Sequence, residues 1–300
     1  MKELKANDLN IQKLQPNKLQ LRVTDFHPDH TLDCGQCFRW NKEMDGSYTG
    51  IASGRIVNLT FVPKKASSRT NPKSGILDGA ILLENAEETD RDFWTNYFDL
   101  NTDYGRIKKS LSEADPIVAE AIQFGGGMRI LRQEPWETLV SFILSANNNI
   151  PRIKKCVESL AFYFGEPAGV FRGQTYYNLP TPERLASLTT EDLDICKLGY
   201  RAKYLISTAN EIMYRGIETL EDCIDSLSGV GPKVANCILL FSLAKLHRFP
   251  IDVWVRKVMH ELYGFDEKDT KAMTAFADRV FGPYAGIAQQ YLFYYMRSLK

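Results

Sequence analysis

Lys233 and Asp252, nineteen residues apart, are the pair in this chain best suited to covalent chemistry. Lys233 follows a short bend in which Gly229 and Gly231 bracket a valine, and Pro232 stands directly before it. Glycine has no Cβ, so this bend can approach another backbone closely. Proline suits the first helical position, and the N–H groups at a helix start bind phosphate. The amine of Lys233 could therefore attack a carbon beside a bound phosphate, while the carboxylate of Asp252 could hold positive charge that develops there.

Each of these residues also has an ordinary structural explanation. The bend could be a helix–turn–helix corner in which glycine serves only the turn. Lys233 alone could be a solvated surface lysine, and Asp252 alone could be a helix N-cap. The chemical interpretation becomes the stronger one only when the carboxylate and the amine are considered together.

The apolar residues around the bend recur at helical spacing on both sides of it. They are Leu220, Cys223, Ile224 and Leu227 before the bend, and Val234, Cys237, Ile238, Phe241 and Leu243 after it. This pattern predicts a helix, a hairpin and a second helix. Asp252 ends an irregular link and is expected to open a further helix.

Residues 227–258 resemble the helix-hairpin-helix, Gly/Pro-rich, aspartate-containing motif of base-excision DNA glycosylases. Further blocks resemble one branch of that group, the 8-oxoguanine DNA glycosylases. These blocks are residues 35–40, residues 131–135 with 145–153, residues 198–204 and residues 282–293. They follow the family's order along most of the chain.

The resemblance implies a bifunctional DNA glycosylase and abasic-site lyase that removes 8-oxoguanine, preferably opposite cytosine, from double-stranded DNA. The damaged nucleotide must be flipped out of the duplex before its base can be cut. Lys233 would then attack C1′, displace the base and leave a Schiff base that permits β-elimination, and burial would favour its neutral amine. Asp252 would stabilise the oxocarbenium-like transition state. No cofactor or metal is expected, although carbonyls of the hairpin, at Leu227 and Val230, could coordinate a structural cation.

Four substrate-binding residues follow from the resemblance: Gly35, Cys237, Gln289 and Phe293. Cys237 and Phe293 would cover the two faces of the flipped base, and Gln289 shares a helix face with Phe293. The carbonyl of Gly35 would accept a hydrogen bond from N7–H of 8-oxoguanine, whereas normal guanine presents a lone pair there. From the residues alone, Gly35 could equally be a turn glycine, and Cys237 and Phe293 could be core residues.

DNA contacts are expected from the remaining blocks. By resemblance, Asn147, Arg152 and Arg201 would contact the orphaned cytosine, and Tyr200 would fill the gap left by the flipped base. Arginine and asparagine suit base edges because they offer planar, paired donors and acceptors, although Arg152 could equally contact a phosphate. The hairpin glycines would bring backbone N–H groups to a phosphate. The chain departs from eukaryotic members at Trp254, where they carry histidine, so a role for that histidine does not transfer.

The amino-acid composition says little about which partners the protein binds. The 300 residues carry 37 Lys and Arg against 37 Asp and Glu, so the net charge is zero, whereas DNA-binding proteins usually show a basic excess. Local basic clusters at residues 152–155, 201–203 and 256–257 restore the possibility of a basic groove, or are simply solvated helix faces. We expect a monomer that does not associate with membranes.

The six cysteines do not predict a metal or disulfide framework. Only Cys34 and Cys37 are closely spaced, and a single C-x-x-C without a second pair is weak evidence for zinc. The chain shows no secretory signal or apolar run of membrane length. We therefore expect an intracellular protein with reduced thiols, cytoplasmic or associated with the nucleoid of a prokaryote.

The hydrophobic pattern changes period along the chain. Alternating segments at residues 21–26, 37–41, 48–52, 56–62 and 79–83 predict strands, with an exposed loop at 64–77. Helical spacing follows at residues 92–98, 104–114, 136–145, 150–164, 201–214 and 284–299. The expected fold is α+β: an N-terminal domain with a small antiparallel sheet at residues 1–115, then a helical glycosylase domain at residues 116–300.

Three other functions were weighed. A monofunctional alkyl-purine glycosylase could share this layout, but Lys233, Gly35 and Phe293 argue against it. A non-catalytic DNA-binding module would leave the Lys233/Asp252 pair without a purpose. A redox protein using Cys34 and Cys37 would need a βαβ setting, which the pattern does not show.

Overall fold

A computed structural model describes residues 17–64 and 77–299 of the chain. Its N-terminal part is a five-stranded antiparallel sheet with strand order β1-β5-β4-β3-β2. The strands are β1 Lys18–Val23, β2 Trp40–Lys42, β3 Tyr48–Ala52, β4 Arg55–Pro63 and β5 Gly79–Glu84, with the short helix α1 Pro28–Leu32 between β1 and β2. The predicted loop at 64–77 lies almost wholly outside the described residues.

The rest of the described chain is largely helical. Its helices are α2 Arg91–Tyr97, α3 Tyr104–Ala114, α4 Pro116–Gly125, α5 Pro135–Ser145, α6 Ile150–Phe164, α7 Pro182–Ala186, α8 Arg201–Arg215, α9 Leu220–Cys223, α10 Pro232–Phe241, α11 Val253–Glu261, α12 Thr270–Val280 and α13 Ala285–Ser298. One hairpin, β6 Pro167–Phe171 with β7 Gln174–Tyr177, interrupts them. The predicted α+β architecture is confirmed.

Capping residues explain several helix limits. Asp103 accepts a hydrogen bond from the Arg106 N–H at 2.9 Å and begins α3. Asp115 does the same for Val118 at 2.8 Å and begins α4, where a proline takes the first helical position. Such caps satisfy backbone donors that a helix start leaves unpaired.

Two hydrophobic cores meet at the segment after α1. The sheet packs its inner face against Trp94, Tyr97 and Phe98 of α2 and the turn after it, whereas the helices form a second, larger core. Cys37 belongs to the sheet core, while Cys34 and Phe38 belong to the helical core. The segment between them, which contains the predicted recognition glycine, is therefore fixed from both sides.

Some sequence expectations for local structure were wrong. The strand expected at 37–41 is only Trp40–Lys42, because the preceding residues are drawn into side-chain contacts with the helical part. The helix expected over 220–227 is the short α9 followed by a 3₁₀ turn at Ile224–Ser226. The division of domains after residue 115 stays a prediction, although α3 already contributes Tyr104, Ile107 and Leu111 to the helical core.

Candidate active site

The predicted hairpin lies between α9 and α10 and is fastened to α8. Gly229 has φ +77°, and a Cβ there would lie 2.7 Å from the ring of Tyr204. The Thr208 hydroxyl donates to the Ser228 carbonyl at 3.0 Å, which holds the bend against the helix. Gly231 caps α10 with its backbone alone and is exposed, with nothing within 4 Å of the place a Cβ would take. The first glycine serves the fold, and the second leaves room for a partner.

This contrast gives a paired prediction for the two glycines. Gly229→Ala forces a side chain into positive φ and against Tyr204, so we expect the free energy of unfolding to fall by about 2 kcal/mol. Gly231→Ala should keep the stability of the wild type but weaken duplex DNA binding roughly tenfold, because its methyl group meets only the incoming backbone. Thermal unfolding and fluorescence-anisotropy titrations distinguish the two. Equal stability losses in both variants, with unchanged DNA affinity for Gly231→Ala, would contradict the assignment.

Lys233 lies in the first turn of α10, half-buried at the mouth of a cavity. Its Nζ donates to the Ser145 hydroxyl at 3.4 Å and lies 5.3 Å from the centre of the Phe142 ring. Among the described residues, Lys233 forms no ion pair with a carboxylate oxygen within 4.0 Å. The amine thus faces an apolar ring and a hydroxyl, surroundings that suit a nucleophilic amine.

Asp252 faces the same cavity from the start of α11. Its carboxylate caps the helix by accepting the Val255 N–H at 2.8 Å. Burial raises the pKa of Asp252, and the Val255 N–H and the positive charge of Lys233 partly oppose that rise. The residue therefore caps a helix and also places a partly desolvated carboxyl in the cavity that Lys233 lines.

The cavity itself has a volume of about 40 Å³ and is far smaller than a purine. All six residues predicted for catalysis and base binding line it: Gly35, Lys233, Cys237, Asp252, Gln289 and Phe293. It adjoins a cleft of about 760 Å³ in which Lys233, Asp252, Gly35 and Phe293 recur. Phe293 lines both the cavity and the cleft, and its ring lies beside Gly35.

Both the backbone conformation at position 35 and the side chains around it require glycine there. It has φ +85°, and a Cβ would lie 3.3 Å from Ile150 Cδ1 and 3.4 Å from Phe293 Cε1. Cys237, one helical turn after Lys233, is 4% exposed, and burial raises the pKa of its thiol to about 11. The thiol is therefore neutral at physiological pH and offers a small apolar surface.

Gln289 brings an unpaired acceptor to the cavity. The residue is 4% exposed, and its Oε1 is buried without a hydrogen-bond partner among the residues that the structure describes. A buried polar atom without a partner costs roughly 1–3 kcal/mol. Such an atom in a cavity wall is ready to accept a donor from a ligand.

The loop at residues 146–149, called here the asparagine-rich loop, lines the cleft. Asn147 has φ +48° and is exposed there. Arg201 is buried, and its guanidinium donates to the carbonyls of Ala146, Asn147 and Leu198. Tyr200 is half-exposed and donates to the Ala146 carbonyl at 3.2 Å.

The two arginines predicted to contact the cytosine, Arg152 and Arg201, thus have different surroundings. In the free protein, Arg201 uses its donors to hold the loop that carries Asn147. Arg152 is exposed on the first turn of α6, and only its backbone N–H is capped, by Asn149 at 3.0 Å. Arg152 is thus the more exposed of the two arginines, and its guanidinium lies close enough to Cys156 to oppose the rise in the pKa of that thiol.

Several wall residues were missed from the sequence. Phe142 and Ser145 contact Lys233, and Gln290 and Arg297 approach the backbone before Gly35. Ser145 opens a block singled out for its asparagines, and Gln290 directly follows Gln289, so both stood within recognised blocks. Trp254 lines the cleft with Val253 and Arg256.

The two closely spaced cysteines lie in the interior of the protein. Cys34 and Cys37 are both buried free thiols, and burial raises the pKa of each. Residues 17–64 and 77–299 hold no cluster of three or more His, Cys, Asp or Glu side chains suited to a metal. Among the same residues, no helix combines the length and apolar character needed to cross a membrane.

Comparison with known proteins places the chain in a family. Residues 18–139 match the model "8-oxoguanine DNA glycosylase, N-terminal domain", and residues 140–282 match "HhH-GPD superfamily base excision DNA repair protein". The N-glycosylase/DNA lyase of Saccharomyces cerevisiae is 39% identical over 270 residues, which cover 82% of this chain and 70% of that protein.

Two solved structures are similar over nearly the whole length. One is the 8-oxoguanine glycosylase/lyase of Clostridium acetobutylicum in complex with double-stranded DNA containing cytosine opposite 8-oxoG. It has a TM-score of 0.86 at 38% identity and covers 97% of this chain and 99% of that one. The other is MBOgg1 with a low-affinity DNA ligand, with a TM-score of 0.86 at 41% identity, 96% of this chain and 98% of that one. These matches show that the chain belongs to the 8-oxoguanine DNA glycosylase family of the HhH-GPD superfamily and is an N-glycosylase/DNA lyase.

Proposed function

We propose that this protein excises 8-oxoguanine opposite cytosine from duplex DNA and then cleaves the strand through a Schiff base on Lys233. One observation carries the proposal: the six residues expected to bind and cut the damaged nucleotide line a single cavity. They come from four separate stretches of the chain, around residues 35, 233–237, 252 and 289–293. The cavity adjoins a cleft of about 760 Å³, a volume that can admit a nucleotide from DNA.

The base is recognised inside the cavity. The carbonyl of Gly35 accepts N7–H of 8-oxoguanine, and the buried Oε1 of Gln289 accepts a donor from the Watson–Crick edge. Cys237 and Phe293 cover the two faces of the ring. Because Phe293 now fills the space near Gly35, binding of the base displaces it.

The reaction then proceeds at C1′. The amine of Lys233, after giving up its proton, forms a bond to C1′ as the C1′–N9 bond breaks, and the base leaves with the electron pair and takes up a proton. Loss of an amine proton and opening of the sugar ring give the Schiff base. Removal of a 2′ proton breaks the bond from C3′ to the phosphate oxygen and cuts the strand. The carboxylate of Asp252 stabilises the positive charge that develops on the sugar.

The hairpin and the asparagine-rich loop hold the duplex. The backbone N–H groups at Gly229 and Gly231 approach a phosphate at the start of α10. Asn147, Arg152 and Arg201 contact the cytosine left behind, and Tyr200 fills the gap in the stack. We expect a monomer that acts on DNA inside the cell.

The test is a single-turnover excision assay on duplexes with 8-oxoguanine opposite each of the four bases. We expect excision and strand cleavage, fastest opposite cytosine. Equal rates for all four duplexes would contradict the cytosine preference, and no release of 8-oxoguanine from any of them would contradict the proposed substrate.

The opposite-base preference should depend on Arg152. Because a good bidentate contact to a base edge contributes about 1–3 kcal/mol, Arg152→Ala should reduce the rate ratio for cytosine over adenine roughly tenfold. Lys155→Ala removes an equally exposed charge from the same helix and should weaken DNA binding without changing that ratio. A ratio unchanged in Arg152→Ala, or changed equally in both variants, would assign Arg152 to a phosphate.

A further inference from the structure

Helix α13 holds the backbone that leads into Gly35. Gln290 is 3% exposed, and its Nε2 donates to the Cys34 carbonyl at 2.9 Å. Arg297 lies seven residues later on the same helix face and donates from one nitrogen to the Asp33 carbonyl. Two consecutive carbonyls before Gly35 are therefore fixed by side chains of one helix.

The backbone after Gly35 is held as firmly. Gln133 donates from Nε2 to the Gln36 carbonyl at 2.7 Å. The Gln36 side chain is fully buried and donates to the carbonyls of Thr31 and Arg129, each at 2.8 Å. Among residues 17–64 and 77–299, no side-chain or backbone donor bonds to the carbonyl of Gly35 itself. The Gly35 carbonyl can therefore accept a hydrogen bond from a ligand, whereas the carbonyls of Cys34 and Gln36 on either side already accept one each.

Such restraint matters because glycine lets adjoining peptide groups rotate easily. Gly35 is in the positive φ region, and a carbonyl that distinguishes one hydrogen at N7 must keep a single direction. Rotation of the peptide group would present an N–H to the base and reverse the preference. The hydrogen bonds on either side of Gly35 oppose that rotation.

We propose that Gln290 and Arg297 are positioning residues for lesion selectivity, which hold the carbonyls of Cys34 and Asp33 so that the Gly35 carbonyl faces the base. This inference rests on the proposed function. Arg297 also makes a cation–π contact at the same site, since its guanidinium lies 5.7 Å from the centre of the Phe293 ring, which covers the base. Neither residue takes part in bond breaking at C1′.

A preformed abasic site separates positioning from catalysis. It has no base, so the Gly35 carbonyl has nothing to recognise, but Lys233 still forms the Schiff base and cleaves the strand. Loss of positioning should therefore slow 8-oxoguanine excision and spare the lyase reaction. A general structural defect would lower both.

The experiment compares Gln290→Met, which keeps the volume but removes the donor, with Gln123→Met on the exposed face of α4. A second pair compares Arg297→Leu with Arg297→Lys, which restores a cationic donor. Single-turnover excision from 8-oxoguanine opposite cytosine, lyase rates on a preformed abasic site and affinities for 8-oxoguanine against guanine duplexes are measured. We expect Gln290→Met and Arg297→Leu to lose about tenfold in excision and in the affinity ratio, with lyase rates within twofold of wild type. Gln123→Met should behave as wild type, and Arg297→Lys should recover most of the loss.

The outcomes separate this inference from the proposed function. If the wild type does not excise 8-oxoguanine, the proposed function fails and the positioning role fails with it. If the wild type excises it and Gln290→Met keeps both rate and selectivity, only the positioning role is wrong. Equal losses of excision and lyase rates in Gln290→Met would likewise overturn the positioning role.

Discussion

Replacing Lys233 by glutamine should abolish strand cleavage and reduce base release by at least about 10³-fold. Glutamine can still donate to the Ser145 hydroxyl and pack on Phe142, so the fold should be retained. It has no amine to attack C1′, so neither the Schiff base nor β-elimination can follow. The measurement is product formation on 8-oxoguanine duplexes under single-turnover conditions, with thermal unfolding as a check of the fold.

Lys271→Gln is the matched control for this substitution. Lys271 is exposed on α12 and lines neither the cavity nor the cleft, so its replacement should leave both reactions unchanged. If Lys233→Gln cleaves abasic DNA at the wild-type rate, a different nucleophile carries the lyase reaction.

Replacing Asp252 by asparagine should slow base excision by about 10²–10³-fold. Asparagine is as good an N-cap as aspartate, so the bond from the Val255 N–H is preserved and α11 should begin at the same residue. The variant loses only the negative charge beside the sugar. A wild-type excision rate in Asp252→Asn would show that the charge has no catalytic role.

The pH dependence of the excision rate provides a second test of the role of the Asp252 carboxylate. Burial raises the pKa of its carboxyl, so the wild-type excision rate should begin to fall in acid at a higher pH than an exposed aspartate would cause. Because protonation is easier in the folded state than in the unfolded state, this group stabilises the fold at low pH, and that contribution is lost as the pH rises through the folded pKa. Asp252→Asn should remove this acid limb and be at least as stable as wild type at neutral pH.

Local sequence signals predicted several elements well. The helices α3 and α6 begin and end where spacing and capping residues predict, because Asp103, Asp115 and Asn149 act within a few residues of their own position. The strand expected at 21–26 instead ends at Val23, since Asp25 adopts φ +51° and leaves the extended conformation. The hairpin β6–β7 also has a local signal in the sequence, because Arg172 and Gly173, both at positive φ, form its two-residue turn.

The candidate site likewise depends partly on local sequence and partly on contacts between residues far apart in the chain. Gly229, Pro232 and Lys233 form a contiguous motif, and their conformation follows from their own types. The approach of Lys233 to Ser145, or of Gln290 to Cys34, joins residues 88 and 256 positions apart. Nothing in local pattern specifies such contacts, because they depend on how the two cores pack against each other. The motif blocks could indicate which segments meet, but not which side chains hold the recognition carbonyl.

Covalent trapping shows whether the amine of Lys233 forms a bond to the sugar. The protein is incubated with a duplex containing 8-oxoguanine opposite cytosine in the presence of borohydride, and the adduct is digested and located by mass spectrometry. We expect a reduced sugar on the peptide that contains Lys233. An adduct on another amine, or efficient base release with no adduct at all, would contradict it.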